Sequence, residues 1–363
     1  MIPIARPLLG EEEAEAAARV VRSGMLASGP EVAAFESEFA SFVGVEHAIA
    51  CSNGTTALHA ALLGAGIGPG DEVIVPSFTF IATATAVSMC GATPVFADVR
   101  PDLFTLDPEV LPPLATPRTK AVIGVHLFGQ PFDIDPVREF CEARGLFLLE
   151  DAAQAHGAAY GGRQVGSLGD AGCFSFYPTK NMTTGEGGMV TTNDGALAER
   201  VHRLINHGQA EKYLHTDLGY NYRMTDIGAA IGRVQLGRLP EFNRRRQENA
   251  AYLTAGLDAP GVRPPATADD RTHVFHQYVV TIGDECLHSR DAFAARLRER
   301  GIGSAVHYPI PVHEQPLYRG AAAPDACPTA ADLARRVLSL PVHPGIGPAE
   351  LEQVVEAANG AAR

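Results

Sequence analysis

Lysine is scarce in this chain: it occurs only at positions 120, 180 and 212, and arginine carries the other positive charges. Any chemistry that needs a primary amine has three candidates. Lys120 stands at the start of an apolar run, in PRTKAVIGV, and Lys212 lies in the charged stretch AEKYL; both read as solvated charges. Lys180 follows the strand-like run FSF and a proline, in the polar loop FYPTKNMTTGEGG, and reads as a placed residue. Asp151 ends another apolar run, in LFLLEDAAQAHGA, where a strand would deliver it to its carboxyl end. The stretch SNGTTALHAALL opens a helix on Gly54 and Thr55. Free backbone amides at a helix start attract an anion, and small residues let a phosphate approach closely. Taken singly, each feature has a plainer reading: a cap by Ser52 or Asn53, an acid capping a turn, a surface lysine.

Taken together they describe a binding site for one kind of group. An anion cradle, an acid at one strand end and a lysine after another are what pyridoxal phosphate requires. The phosphate takes the amides, the carboxylate keeps the pyridine nitrogen protonated, and the lysine holds the aldehyde as a Schiff base.

The elements that would carry these residues alternate. EVIV (72–75), PVFAD (94–98), AVIGVH (121–126), LFLLED (146–151), GCFSF (172–176) and GMVTT (188–192) read as buried strands. Alanine-rich helical stretches such as TTALHAALLGAG and FIATATAVSMCG lie between several of them. Repeated β and α units predict an α/β protein with a large, mostly parallel, doubly wound sheet. In such sheets ligands bind at the carboxyl ends of the strands. Phe35, Phe39 and Phe42 at helical spacing predict a helix over 31–43, with a capping box from Ser28 and Glu31. After about residue 240 the pattern changes to a long connecting helix, RRRQENAAYLTAGL, a strand, VFHQYVVTI, and two further helices. The predicted division is a large domain over 1–244 and a smaller C-terminal α/β domain over 245–363.

Bulk properties narrow the class. A net charge of -13 over 363 residues argues against a nucleic-acid surface. Six cysteines without a C-x-x-C pair read as free thiols in a reducing compartment, so a cytoplasmic protein is expected. The N-terminus has no signal-peptide pattern, and no apolar run is long enough to span a membrane. The thirteen histidines show no metal-ligand spacing. GAGIGPG (64–70) lacks the strand-before, helix-after context of a dinucleotide fingerprint and reads as a helix stop. Arg244, Arg245 and Arg246 read as a solvated helix face rather than a pyrophosphate grip.

Over nearly its whole length the sequence resembles the DegT/DnrJ/StrS-type sugar aminotransferases. The resemblance rests on several long motifs in order: SGMLASGPEVAAFESEFA, SNGTTAL, VIVPSFTFIATATAV, HLFGQPFDID, EDAAQAHGA, GSLGDAGCFSFYPTKN, GEGGMV, GYNYRMTDIGAAIG, VHYPIPVHEQP and LSLPVHP. It implies the aspartate-aminotransferase fold, that of fold type I pyridoxal-phosphate enzymes. It also implies roles. Lys180 matches the lysine that binds the cofactor, Asp151 the partner of its pyridine nitrogen, and Gln154 the neighbour of its ring hydroxyl. Phe80 falls where an aromatic ring stacks on the cofactor; Gly54, Thr55 and Ser175 match phosphate contacts. Asn221, with Arg223 close behind, matches a residue that reaches the phosphate in the neighbouring subunit, which implies a homodimer with shared sites. His307 and His313 lie in a motif near the substrate mouth. Three functions fit the resemblance: an aminotransferase of a nucleotide-linked keto sugar using glutamate or glutamine, one of a keto-cyclitol, or a cofactor-binding regulator without turnover. Some relatives carry histidine in place of the lysine and dehydrate sugars; the intact Lys180 points to amino transfer, and with Asp151 and Gln154 it argues against the regulator.

Overall fold

A computed structural model describes residues 1–323 and 325–363. Its centre is a seven-stranded sheet built from β1 (His47–Cys51), β2 (Glu72–Pro76), β3 (Thr93–Ala97), β4 (Thr119–Val125), β5 (Phe147–Asp151), β6 (Ala171–Ser175) and β7 (Gly188–Thr192). The order across the sheet is β1-β7-β6-β5-β4-β2-β3. The six runs read as strands in the sequence are all present; His47–Cys51 is the seventh, and it was not anticipated. Five neighbouring strands, β6 to β3, are parallel, whereas β7 runs antiparallel to both β6 and β1. β1 therefore points the same way as the parallel set, and its carboxyl end joins theirs on one edge of the sheet.

These strands read as continuous apolar runs because both faces are covered. On one face Ile49, Val73, Val75, Ile123 and Leu149 pack against the helices Gly54–Gly64 and Ala82–Met89. On the opposite face Ile74, Val122 and Leu148 meet Phe132, Val137 and Phe140 around the helix Ile134–Glu142. Phe35 and Phe39 of the helix Pro30–Val43 are fully buried against Phe174 and Phe176, as their helical spacing required.

That helix starts differently from the expected capping box. Its N-cap is Gly29, and the donors there are taken by a residue remote in sequence: Asp226 Oδ1 accepts the N–H of Gly29 at 2.8 Å and of Val32 at 3.0 Å. Glu31 is instead engaged by Arg19 and Arg233. A local pattern could not reveal the cap, because the competing acceptor arrives through the tertiary fold.

The long helix Asp226–Gly256 carries the chain to a second core, and residue 244 lies within it. Ala250 and Leu253 near its end pack with Tyr278, Phe293, Leu297 and Val354. This core surrounds a small antiparallel sheet of β8 (Val262–Arg263), β9 (Tyr278–Ile282) and β10 (Val337–Leu340). The strand VFHQYVVTI is shorter than predicted, because Val274–Gln277 forms no regular element. The N-terminus returns to this region: Ile2 bridges Ile302 and is buried in the same cluster. Among the described residues no helix is long and apolar enough to cross a membrane.

Candidate active site

The carboxyl ends of β1, β4, β5 and β6, with the segment after β2, surround one cleft of about 850 Å³. Asn53, Gly54, Thr55, Thr79, Phe80, Val125, Asp151, Gln154, Ser175 and Lys180 all line it. The position is the one a doubly wound sheet offers.

Gly54 begins a helix directly after β1. Asn53 caps it, accepting the N–H of Thr56 at 2.9 Å, while Thr56 Oγ1 accepts the N–H of Asn53 at 3.1 Å. The N–H groups of Gly54 and Thr55 lie beyond reach of the helix's own bonds. A Cβ on Gly54 would sit 2.6 Å from Ser175 Cβ, so glycine is needed for the helix start to press against the end of β6. The result is a concave cradle of amides and a hydroxyl.

Asp151 is buried at the end of β5. Thr83 Oγ1 donates to its Oδ2 at 2.8 Å, and the N–H of Ala153 to its Oδ1 at 3.2 Å. Burial pushes its pKa up; the two hydrogen bonds and the nearby Lys180 charge oppose the rise without cancelling it. Glu150, one position earlier, points to the other face. There it accepts the N–H groups of Gly166, Leu168 and Gly169 and contacts His126 Nε2 at 3.0 Å. Strand alternation thus separates an acid that anchors a loop from one that faces the cleft.

The loop carrying Lys180 is tied down on both sides. Asn181 donates to Asn243 Oδ1 at 2.8 Å and to the carbonyl of Val274 at 3.0 Å, and Thr183 Oγ1 donates to the carbonyl of Phe176 at 2.8 Å. The lysine is half-buried, and loss of hydration lowers its pKa to about 8 against the raising effect of Asp151. Lys120 and Lys212 are exposed, the first inside β4 rather than before it, the second over the ring of Tyr213.

Gln154 Oε1 accepts the N–H of Phe128 at 2.8 Å, and its Nε2 donates to Tyr308 Oη at 2.9 Å. Phe80 is 53% exposed at the wall of the cleft, its ring 6.0 Å from that of Tyr308. His307 also lines the cleft, with Nδ1 held 2.8 Å from Ser339 Oγ. His313 does not: it is buried behind the wall, with Nδ1 2.5 Å from Ser77 Oγ. Asn221 and Arg223 lie outside the cleft as well. Asn221 is exposed and bridges Asn206, whose Oδ1 accepts from Arg223 Nη1 at 2.8 Å.

Several cleft residues escaped sequence reasoning. Tyr308, His276 and Glu186 carry no spacing signal, and Ile4 and Ala5 arrive from the N-terminus; Thr83, buried behind Asp151, carries none either. His276 is buried with Nδ1 unpartnered among the described residues; burial, then the Lys180 and Arg246 charges, hold it neutral. Of the arginine run, Arg244 and Arg245 pair with Glu241 on an exposed face, as expected. Arg246 departs from that reading: it is buried and donates to the carbonyls of Phe275 and His276. No cluster that could hold a metal ion occurs among the described residues.

The donor set fits pyridoxal phosphate: an amide-and-hydroxyl cradle that a single Cβ would fill, a buried carboxylate and an amine of lowered pKa on one cleft. Fold and site together define a pyridoxal-phosphate-dependent transaminase of the aspartate-aminotransferase fold type. A model of the DegT/DnrJ/EryC1/StrS aminotransferase family matches residues 7–359, and the chain belongs to that family. It is 45% identical to a dTDP-3-amino-3,4,6-trideoxy-alpha-D-glucose transaminase of Streptomyces venezuelae over 352 residues, covering 96% of this chain and 92% of that one. It is 43% identical to a GDP-perosamine synthase of Caulobacter vibrioides, covering 98% of this chain and 97% of that one. Among solved structures, S. venezuelae DesV superposes with a TM-score of 0.93 at 44% identity, over 97% of this chain and 94% of that one.

Proposed function

We propose that this protein moves an amino group from glutamate or glutamine to a keto group on a nucleotide-linked sugar. The observation that carries the reading is the convergence of Lys180 and Asp151 beside the Gly54–Ser175 cradle in one cleft. The sugar part draws on the relatives named above, a transaminase of a dTDP-linked sugar and a GDP-perosamine synthase; the lysine and carboxylate in place in the cleft weigh against a regulator without turnover.

Gly54, Thr55 and Ser175 would hold the phosphate, Phe80 would cover the ring face, and Gln154 would face the ring hydroxyl. The cofactor supplies an electron sink for the bonds at the donor's Cα. Asp151 would keep the pyridine nitrogen protonated, its carboxylate held in place by Thr83 at Oδ2 and by the Ala153 N–H at Oδ1. Lys180 would hold the cofactor's aldehyde, and its amine, with a pKa lowered to about 8 by burial, is basic enough, yet free enough of protons near neutral pH, to take a proton from the donor's Cα.

A sugar nucleotide brings a diphosphate, yet Lys180 is the only lysine or arginine among the residues lining the cleft, and Asp151 and Glu186 are acidic. A homodimer resolves this. Asn221 and Arg223 would serve the neighbouring subunit's site, shortly after the antiparallel pair Gln209–Glu211 and Leu214–His215, where Tyr213 and Leu218 are 83% and 84% exposed. All six cysteines are free, which suits the cytoplasm.

The test is spectroscopic. The protein mixed with pyridoxal phosphate is expected to show a band at about 410–430 nm that moves towards about 330 nm on adding glutamate. Lys180→Ala should abolish the first band. Persistence of the band in that variant would remove Lys180 from its role.

A further inference from the structure

Phe128 is a non-glycine residue in the left-handed backbone region, at φ 59°. Such strain persists only where surrounding structure holds it, and it clusters at functional sites. Here it directs the Phe128 N–H at Gln154 Oε1, 2.8 Å away. That bond settles the orientation of the side-chain amide: the oxygen faces Phe128 and the NH2 faces the cleft. One N–H goes to Tyr308 Oη at 2.9 Å, and the second is left over. Since Tyr308 Oη accepts this bond, its own O–H remains free to donate. No acceptor for it occurs among the described residues. Tyr308 comes from the segment that joins the small sheet: its neighbour His307 is held by Ser339 of β10, and its ring lies against Phe78 and Phe80.

We infer that Tyr308 is a positioning residue which, together with Gln154, presents two hydrogen-bond donors to the ring hydroxyl oxygen of the cofactor. The inference rests on Lys180 and Gln154 holding the cofactor as proposed above. Two donors draw negative charge from that oxygen. The oxygen then attracts less strongly the proton on the nitrogen joining Lys180 to the cofactor. Removing one donor strengthens that attraction, so the nitrogen keeps its proton to higher pH.

The experiment is a pH titration of the visible band in the cofactor-loaded protein without substrate, for wild type, Tyr308→Phe, Gln154→Leu and the double variant. Tyr308→Phe keeps the ring and removes only the hydroxyl. Its midpoint is expected to rise by about one pH unit, a tenfold change in proton affinity. Gln154→Leu should also raise it, and the double variant should fall short of the sum, because the two groups share one hydrogen bond. If Tyr308→Phe misfolds, Tyr308→Leu, which also lacks the hydroxyl, carries the same test. A loaded Tyr308 variant whose midpoint is unchanged overturns the inference, whatever Gln154→Leu does, and leaves the role of Lys180 standing. A wild-type protein that forms no band overturns both.

Discussion

Lys180 shows how one residue's surroundings change its chemistry. An exposed lysine has a pKa of about 10.4 and is almost wholly protonated at neutral pH. Desolvation in the cleft lowers that of Lys180 to about 8, with Asp151 pulling the other way. Capture of the cofactor needs the neutral amine, so its rate in the cofactor-free protein should rise with pH and level off above about 8. Stopped-flow absorbance across pH 6–11 is the check. Asp151 favours the protonated lysine, so Asp151→Asn should move the midpoint lower. A midpoint near that of free lysine would contradict the burial argument. The placement of Lys180 after a strand and the rarity of lysine were legible in the sequence. Thr83 and Tyr308 were not, because a threonine in a helix and a tyrosine between prolines and histidines have no periodicity that marks their partners.

At the scale of elements, six of the seven strands of the large sheet were legible because burial on both faces leaves a continuous apolar run in each. The helix starts were harder. Gly54–Gly64 is capped locally by Asn53, and the sequence offers Asn53 or Ser52 for that task. Pro30–Val43 is capped by Asp226, which no local window contains. Asp226 is 1% exposed and begins the long helix itself, so one carboxylate ties two helix starts together. Asp226→Ala should cost about 0.5–2 kcal/mol, the usual range for a lost cap. It should lower Tm by roughly 1–3 °C in a chain of this size. Asp226→Asn, which keeps an acceptor, should lose less. Equal stability of all three proteins in calorimetry would deny Asp226 this role.

At the scale of the molecule, the cleft combines sheet ends with Ile4 and Ala5 from the N-terminus and Tyr308 from the C-terminal third. The proposed exchange of Asn221 and Arg223 between subunits can be tested by mixing. Lys180→Ala and Arg223→Ala chains should each be nearly inactive. If Arg223 serves the neighbouring site, a hybrid dimer places both lesions in one site and leaves the other intact, so mixing restores activity. About a quarter of wild-type activity is expected from random pairing of equal amounts. If Arg223 serves its own site, every hybrid site carries one lesion and nothing is restored.

The sequence by itself determined the α/β alternation, six of the seven strands of the large sheet, and the order of motifs that carries the family and its cofactor. Those features are written in local periodicity and in residues adjacent along the chain. Strand alternation also required that Glu150 and Asp151 face opposite ways. Which of them meets the cleft, which end of the Gln154 amide is turned away from it, and why Arg246 is buried while Arg244 is solvated were decided by tertiary structure alone. Each depends on a partner far along the chain: His126, Phe128 or the carbonyls of Phe275 and His276. Hydrogen bonds act over about 3 Å in space and are indifferent to separation in sequence.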